Sequence, residues 1–334
     1  MNNILEKIIN DDKKFLQLTH TDLDGYTCKL MTSIYIQNEF DCYHLNYDNI
    51  IRKLNYLIKT EHNDYSGIII TDLDISNELF ILIYQISKEF NIPFLIFDHH
   101  QNSLKLKEKY ETFKNKNDNL YFEVADDHEC ATKLYYKFLS NNLEIENINE
   151  VRLDCIIETI NDWDTFSFKD KEGNILNENA LKLNNYTKLF GFDATLELIT
   201  NYIKVSGNML FNDNEESSLS TYQFIIDKEY ERQNKNIKVI EDINIDGINY
   251  TIGFISCNDN ISEIASKIAV DYKDEVDFVV NLNFVYRSAS FRCYSDDIDL
   301  SMIAKHFGGG GHKKASACPI TVDFLNEIGY TEFL

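Results

Sequence analysis

Four short clusters of acids and imidazoles punctuate the chain: His20-Thr21-Asp22-Leu23-Asp24-Gly25, Thr71-Asp72, Asp98-His99-His100 and Asp162-Trp163-Asp164-Thr165. Hard carboxylate oxygens mixed with imidazole nitrogens suit manganese or magnesium better than zinc, which favours thiolates and fewer carboxylates. If the clusters share one site, charge sets the metal count. Crowded carboxylates repel one another and acquire raised pKa values unless divalent cations compensate them, and two cations are the natural number. A metal pair about 3.5–4 Å apart can share a hydroxide, polarise a phosphoryl group and stabilise a leaving oxygen. Each cluster alone has a plainer explanation. Asp72 could cap a helix starting near Ser76, and Asp98-His99-His100 could be a solvated turn after a strand. A calcium loop is excluded: with Asp22 and Asp24 at loop positions three and five, position twelve is Met31, where a bidentate glutamate is required.

The apolar pattern names the elements that must position these groups. Phe15–Thr19, Gly67–Thr71 and Pro93–Phe97 read as strands, each followed by polar residues, and 26–37 reads as the helix after the first. Short strands alternating with helix-length segments predict an α/β fold with a largely parallel sheet, where ligands gather beyond the carboxyl ends of the strands. From 129 to 235 the pattern turns helical, and the charged stretch 212–236 suits a connecting helix. Strands near 237–255 and 276–294, with a helix over 261–270, then predict a smaller second α/β unit. It contains Gly308–Gly311, four of the chain's 12 glycines. Such a run either makes a flexible turn or lets bare amides cradle an anion. The expected organisation is two-lobed: a metal-binding catalytic domain over 1–190, a helical linker over 191–236 and a substrate-binding domain over 237–334.

Composition bounds the function. The 334 residues include 55 acidic and 32 basic side chains, a net charge of −23, and 44% are hydrophobic. That supports sizeable cores and excludes a disordered chain. Strong negative charge disfavours a long nucleic acid along a broad surface and leaves a small phosphorylated substrate in a cation-screened pocket. Seven cysteines without a C-x-x-C pair argue against a disulfide framework or zinc knuckle. No apolar run reaches the ~20 residues of a membrane span, and MNNILEKIINDDKKF lacks the basic flank and apolar core of a leader. A cytoplasmic location without a membrane partner is expected.

Taken together, HTDLDG, IITD, FDHH, WDT and GGGGHKKASA, in that order, resemble the DHH phosphoesterases that carry a DHHA1 domain, and most of all the NrnB-type oligoribonucleases, or nanoRNases. The resemblance runs from about residue 15 to 320 and includes KLNNYTKLF, IASKIA and DLSMIAKHFGGGGH. It implies that His20 and Asp22 ligate one metal, that Asp24, His99 and Asp164 serve the other, and that Asp72 bridges them. It also implies that Asp98 fixes an imidazole tautomer, that His100 faces the scissile phosphate, and that Arg292, Gly309, Gly310, Gly311 and His312 hold substrate, with Lys314 a weaker candidate. Here His20 precedes Asp22 by two residues, where many relatives space this pair by four. Asp74 matches no family motif, and Asp164 is preferred to Asp162 because Thr165 follows it.

The activity so implied is hydrolysis of short RNA or DNA oligonucleotides, about two to five nucleotides long, to nucleoside 5′-monophosphates by a 3′–5′ oligoribonuclease-like enzyme. The cofactor would be two Mn²⁺ ions, with Mg²⁺ or Co²⁺ as substitutes, and the nucleophile a hydroxide shared between them. The alternatives are hydrolysis of 3′-phosphoadenosine 5′-phosphate (pAp), cleavage of cyclic or linear dinucleotides, and a catalytically silent nucleotide sensor. Relatives often form homodimers.

Overall fold

The computed structural model describes residues 2–46, 49–61, 63–113, 117–125, 128–170, 172–204, 209–311 and 313–329. The chain divides into two units. One comprises Met1–Asp170 with Ile175–Glu216, and the other Ser217–Leu334 with Lys171–Asn174. No helix of the described residues is long and apolar enough to cross a membrane.

The first unit is built on a five-stranded sheet of order β2-β1-β3-β4-β5, with β1 Lys14–Thr19, β2 Phe40–His44, β3 Tyr65–Thr71, β4 Phe94–Asp98 and β5 Leu120–Val124. Every neighbouring pair is parallel. Because strand side chains alternate faces, Leu16, Leu18, Ile68, Ile70, Phe94 and Ile96 join one buried layer. Covering it are α3 (Ile50–Glu61), α4 (Asn77–Phe90) and α5 (Gln101–Phe113), through Leu54, Leu57, Phe80, Ile83 and Leu106. The opposite face meets α1 (Asn3–Ile9) and α6 (Ala131–Asn142). A Cβ on Gly67 would lie 2.9 Å from Ile8 Cδ1, and the Phe97 ring packs 4.9 Å from Tyr135 and 4.8 Å from Phe138. With both faces covered, the central strands read as continuous apolar runs. The helices α2 (Leu23–Tyr35), α7 (Glu150–Asp164) and α8 (Glu178–Lys204) complete the unit, α8 breaking at Gly191, whose φ is 85°.

The α/β class with a parallel sheet and a second sheet is the architecture expected from the pattern of elements. Two strands lay beyond that pattern. β2 (FDCYH) is half-exposed throughout, and β5 buries only alternate residues, so neither edge strand carries the apolar run that marks the centre of the sheet.

The second unit begins within α9 (Asp213–Asn236). Its six-stranded sheet has the order β10-β11-β9-β8-β7-β6, with β6 Lys238–Ile245, β7 Ile248–Ile255, β8 Phe278–Asn283, β9 Ser288–Arg292, β10 Gly310–Gly311 and β11 Ala315–Pro319. Among the described residues only β7 and β8 of this sheet pair in parallel. On one face α10 (Ile261–Asp271) packs Ile264, Ala265 and Ile268 against Ile255 and Val279. On the other, α11 (Leu300–His306) and α12 (Val322–Glu327) set Leu300, Ile303 and Phe324 against Phe278, Val280 and Phe291.

The glycine run belongs to this sheet. Gly309 N–H donates to Ala304 O at 2.7 Å and Gly308 N–H to Lys305 O at 3.0 Å, closing α11, while Gly310 and Gly311 pair with Ala317 and Ser316. A Cβ on Gly309 would lie 2.6 Å from Cys318 Cα and collide with Ala317 O, both backbone atoms that cannot swing aside. Gly309→Ala should therefore destabilise the second unit by about 1–3 kcal/mol or more. A urea-unfolding midpoint equal to that of the unsubstituted chain would contradict this close approach.

Candidate metal centre

Parallel strands deliver their carboxyl ends to one edge, and the ends of β1, β3 and β4 hand the chain to His20, Asp72 and His99-His100. The last residue of α7, Asp164, arrives from outside the sheet. The structure brings these groups together. His20 Nδ1 lies 2.7 Å from Asp22 Oδ2 and 3.8 Å from Asp72 Oδ2. His99 Nε2 lies 3.3 Å from Asp164 Oδ2, 3.5 Å from Asp72 Oδ1 and 4.0 Å from Asp24 Oδ2. Three overlapping sets result: His20, Asp22 and Asp72; Asp24, His99 and Asp164; and Asp72, His99 and His100, with the ligand-type atoms of each set within 4.8 Å of one another. Asp72 stands in two of them.

Local backbone chemistry explains the placement. Asp72 adopts φ 56°, a left-handed conformation that aspartate tolerates better than most residues, and its N–H donates to Phe97 O at 3.0 Å. It caps no helix: Ser76 does that for α4, accepting from Leu79 N–H at 3.1 Å. Asp22 Oδ1 accepts from Gly25 N–H at 3.0 Å and caps α2. Gly25 is needed there because a Cβ would sit 2.7 Å from His20 C and 2.8 Å from His20 N. The Asp24 carboxylate accepts from both Ala131 N–H and Thr132 N–H at 2.9 Å, so the amino terminus of α6 holds it with two amides and a favourable dipole.

Electrostatics test whether these groups suit a cation. Burial, and then the charges of Asp22, Asp24 and Asp164, push the Asp72 carboxyl well above the usual range. Burial with Asp24 and Asp22 does the same to Asp164. Asp72 Oδ2 and Asp164 Oδ2 are buried without a hydrogen-bond partner. Burial lowers the pKa of His99, which favours the neutral imidazole that metals bind. Hard oxygens, neutral imidazole and orphaned buried carboxylate oxygens together fit a divalent cation pair such as Mn²⁺ or Mg²⁺.

Beside this cluster, Asp98 accepts from His100 Nδ1 at 2.7 Å, and its other oxygen accepts from Ser103 Oγ, which takes the Ile75 N–H at 2.8 Å. Burial opposes charge on His100, but the Asp98 carboxylate outweighs it and pushes the imidazole up to about 9. Asp162 is engaged by Asn177 Nδ2 at 2.8 Å, and Asp74 by Asn102 Nδ2 at 2.6 Å. Cys130 precedes α6, its thiol pushed well up by burial and by Asp24, as befits a packing residue.

Several supporting residues carried no signal in the sequence. Ser103 stands five positions after Asp98 in no motif. Tyr26, His44 and Phe192 form a three-ring stack, with centroids 3.6 and 4.0 Å apart, and His44 Nδ1 bonds His20 O at 2.8 Å. Only the neighbouring strand and the α8 kink bring those rings together.

In the second unit Arg292 ends β9. Its guanidinium donates to Phe291 O at 2.7 Å and Ser262 Oγ at 2.6 Å, while Nε is buried without a hydrogen-bond partner. Burial lowers its pKa, and among the described residues no carboxylate lies within ion-pair reach of it. The glycines differ from expectation in one respect. The Gly309 amide is already hydrogen-bonded to α11, so its contribution is the missing side chain rather than a donor to an anion. Gly310 and Gly311 lie on the edge strand β10. His312 lies outside the described residues, and Lys314 pairs with Asp296 at 2.8 Å.

A parallel sheet that crowds acids and imidazoles beyond its strand ends, with a second α/β unit carrying a glycine edge strand, resembles the build of the DHH-type phosphoesterases. No family model matches the chain. It is 25% identical over 306 residues to oligoribonuclease NrnB of Bacillus subtilis (strain 168), covering 91% of this chain and 72% of that protein. It is 24% identical over 331 residues to a 3′,5′-cyclic-nucleotide phosphodiesterase of Helicobacter pylori (strain ATCC 700392 / 26695), covering 90% of each. Among solved structures it shares the fold of the pGpG-specific phosphodiesterase PggH of Vibrio cholerae, with TM-score 0.53, 14% identity and coverage of 96% and 97%. It also shares the fold of RecJ in complex with Mn²⁺ from Thermus thermophilus, with TM-score 0.56, 10% identity, and 99% of this chain against 54% of that one. The likeness read from the motifs is borne out: the chain resembles the DHH/DHHA1 phosphoesterases, NrnB-type oligoribonucleases among them.

The crowding has a measurable consequence. A carboxyl raised by folding contributes stability only below its unfolded pKa, near 4, and loses it as pH rises through the folded value. At pH 7.5 in EDTA, Asp72→Asn should therefore melt higher than the unsubstituted chain, by about 2–4 °C for each kcal/mol of repulsion relieved. The gain should vanish below about pH 4, and the added stabilisation by manganese should shrink. Differential scanning fluorimetry checks all three; a variant that melts lower in EDTA would refute the crowding argument.

Proposed function

We propose that this chain is a divalent-metal-dependent phosphodiesterase that hydrolyses short oligonucleotides, about two to five nucleotides long, to nucleoside 5′-monophosphates. The observation that carries this reading is the convergence of His20, Asp22, Asp24, Asp72, His99 and Asp164, from four separate segments, around two orphaned carboxylate oxygens. His20, Asp22 and Asp72 would hold one cation and Asp24, His99 and Asp164 the other, with Asp72 shared and Mn²⁺ the preferred ion. When bound, the cations supply Lewis-acid polarisation of the phosphoryl group and lower the pKa of water.

The remaining work belongs to the chain. The α6 amides and the Gly25 turn fix Asp24 and Asp22 before any ligand arrives, which lowers the reorganisation needed during reaction. Asp98 locks His100 through Nδ1 and keeps it protonated at neutral pH, so a cationic imidazole can stabilise charge growing on a phosphoryl oxygen. Arg292, half-buried and without a counterion among the described residues, suits a phosphate of the substrate, with Gly310, Gly311 and His312 following it in the sequence. The oligoribonuclease and the cyclic-nucleotide phosphodiesterase among the relatives both support phosphodiester hydrolysis, and the second keeps cyclic phosphodiesters within the substrate class.

The test is product analysis of labelled dinucleotides and five-residue RNAs in manganese, beside pAp and a 3′,5′-cyclic mononucleotide. Monophosphates from the short RNAs are expected, and EDTA should abolish them. Asp72→Ala should lower kcat by at least about 10²-fold while the far-ultraviolet circular dichroism is unchanged. Near-normal turnover in that variant would refute the shared-ligand role. Arg292→Ala should raise KM for dinucleotides far more than it lowers kcat; an unchanged KM would remove Arg292 from substrate capture.

A further inference from the structure

Helix α7 delivers Asp164 to the metal centre and then must end. Thr165 is its C-cap, and the next residue, Phe166, has φ 59°, the left-handed conformation that closes many helices at this position. Glycine normally stands there, because a Cβ in that conformation crowds the backbone. Among the described residues eight that are not glycine have positive φ, and six of those are Asp or Asn, which tolerate it. Phe166 is the aromatic exception. Its neighbours leave it no alternative. Thr165 N–H and Thr165 Oγ1 both donate to Asn161 O, at 2.9 and 2.7 Å, Phe166 N–H donates to Trp163 O at 3.2 Å, and Phe168 N–H donates to Asp162 O at 3.0 Å. Asn177 Nδ2 in turn holds the Asp162 carboxylate at 2.8 Å. Bonds on either side of Phe166 thus impose a backbone state that its side chain disfavours.

Packing does not offset that strain. Phe166 is 51% exposed, and the centroid of the Phe168 ring lies 6.4 Å away, near the outer limit of aromatic contact. Four Phe, Tyr or Trp residues stand within two positions of a proposed metal ligand: Tyr26, Phe97, Trp163 and Phe166. Phe97 is fully buried, Tyr26 lies between His44 and Phe192 in the three-ring stack, and the Trp163 ring packs 4.8 Å from Phe168. Phe166 alone of the four is more than half exposed. Its Cα lies within about 7.6 Å of that of Asp164, two virtual bonds away, and the Asp164 carboxylate stands 3.3 Å from His99. A strained, open ring so close to groups gathered for a phosphate has the makings of a stacking platform, since every nucleobase offers a π-face and a purine offers the larger one.

We infer that Phe166 is a specificity-determining residue whose ring stacks on the nucleobase joined to the phosphate at the metal centre and favours purines. The inference rests on the phosphodiesterase reading for the phosphate, while the ring itself ligates nothing. Strain and stacking make opposite demands on this position, and that opposition separates a platform from a packing residue.

The test uses Phe166→Gly, which relieves the backbone and removes the ring. Its melting temperature in EDTA should rise by about 2–5 °C, whereas loss of a packing residue would lower it. Binding is measured in manganese for adenosine 5′-monophosphate, the expected product, against ribose 5-phosphate, which carries the phosphate without a base. The unsubstituted chain should bind the nucleotide about 5–100-fold more tightly; Phe166→Tyr should keep that preference and Phe166→Gly should lose it. Hydrolysis gives a second readout. In Phe166→Gly the KM for the dinucleotide ApA should rise by a similar factor with kcat within about twofold, and the advantage of ApA over UpU in kcat/KM should disappear. A glycine variant that melts lower or retains the nucleotide preference overturns the platform, as does the lack of either preference in the unsubstituted chain or its loss in Phe166→Tyr. If the binding preference appears and is lost as expected but ApA is not cleaved, the platform stands and the hydrolytic reading fails. Cleavage of ApA that Phe166→Gly leaves unchanged has the opposite meaning.

Discussion

Mutual repulsion among Asp24, Asp72 and Asp164 around His99 is the constraint on which the first unit is organised. Carboxylates gathered in a buried crevice are unfavourable company, and Asp72 and Asp164 each leave an oxygen without a hydrogen bond. The surrounding structure holds them there regardless. The α6 amides grip Asp24, the left-handed backbone of Asp72 is anchored to β4, and Gly25 lets α2 approach His20 closely enough to aim Asp22. A divalent cation bound there would convert this repulsion into affinity, which is the physical basis of the proposed metal dependence.

The sheet makes that concentration of charge structurally tolerable. Covered on both faces by apolar helices, its central strands are rigid and dry, and all five end on one edge. Polar groups at that edge inherit the precision of the strands. Residues that touch no ligand position then do the fine placement: Ser103 orients Asp98, Asp98 orients His100, and the Phe192–Tyr26–His44 stack steadies the backbone at His20. In the second unit the charge logic is reversed. Arg292 is a half-buried cation whose Nε is fully covered and which has no carboxylate partner among the described residues, and the glycine run is woven into a sheet edge instead of forming a free loop.

The acidic exterior and the short-substrate reading agree. A net charge of −23 disfavours holding a long polyanion along a broad surface. A protein that engages only a few nucleotides needs local positive charge, not a continuous basic track.

The amino-acid sequence by itself determined the α/β class, the three central strands and the acid and imidazole clusters that follow them, because buried parallel strands and metal-type side chains leave local signatures in residue type and order. The edge strands β2 and β5 were not legible, since half-exposed strands lack an apolar run. Tertiary structure alone decided which atoms meet: that Asp72 stands in two of the acid and imidazole clusters, that Asp24 accepts from an α6 amide 107 residues away, that Gly309 closes a helix, and that His44 completes a ring stack. Those outcomes depend on distances between segments remote along the chain, and no local pattern encodes a distance that only packing creates.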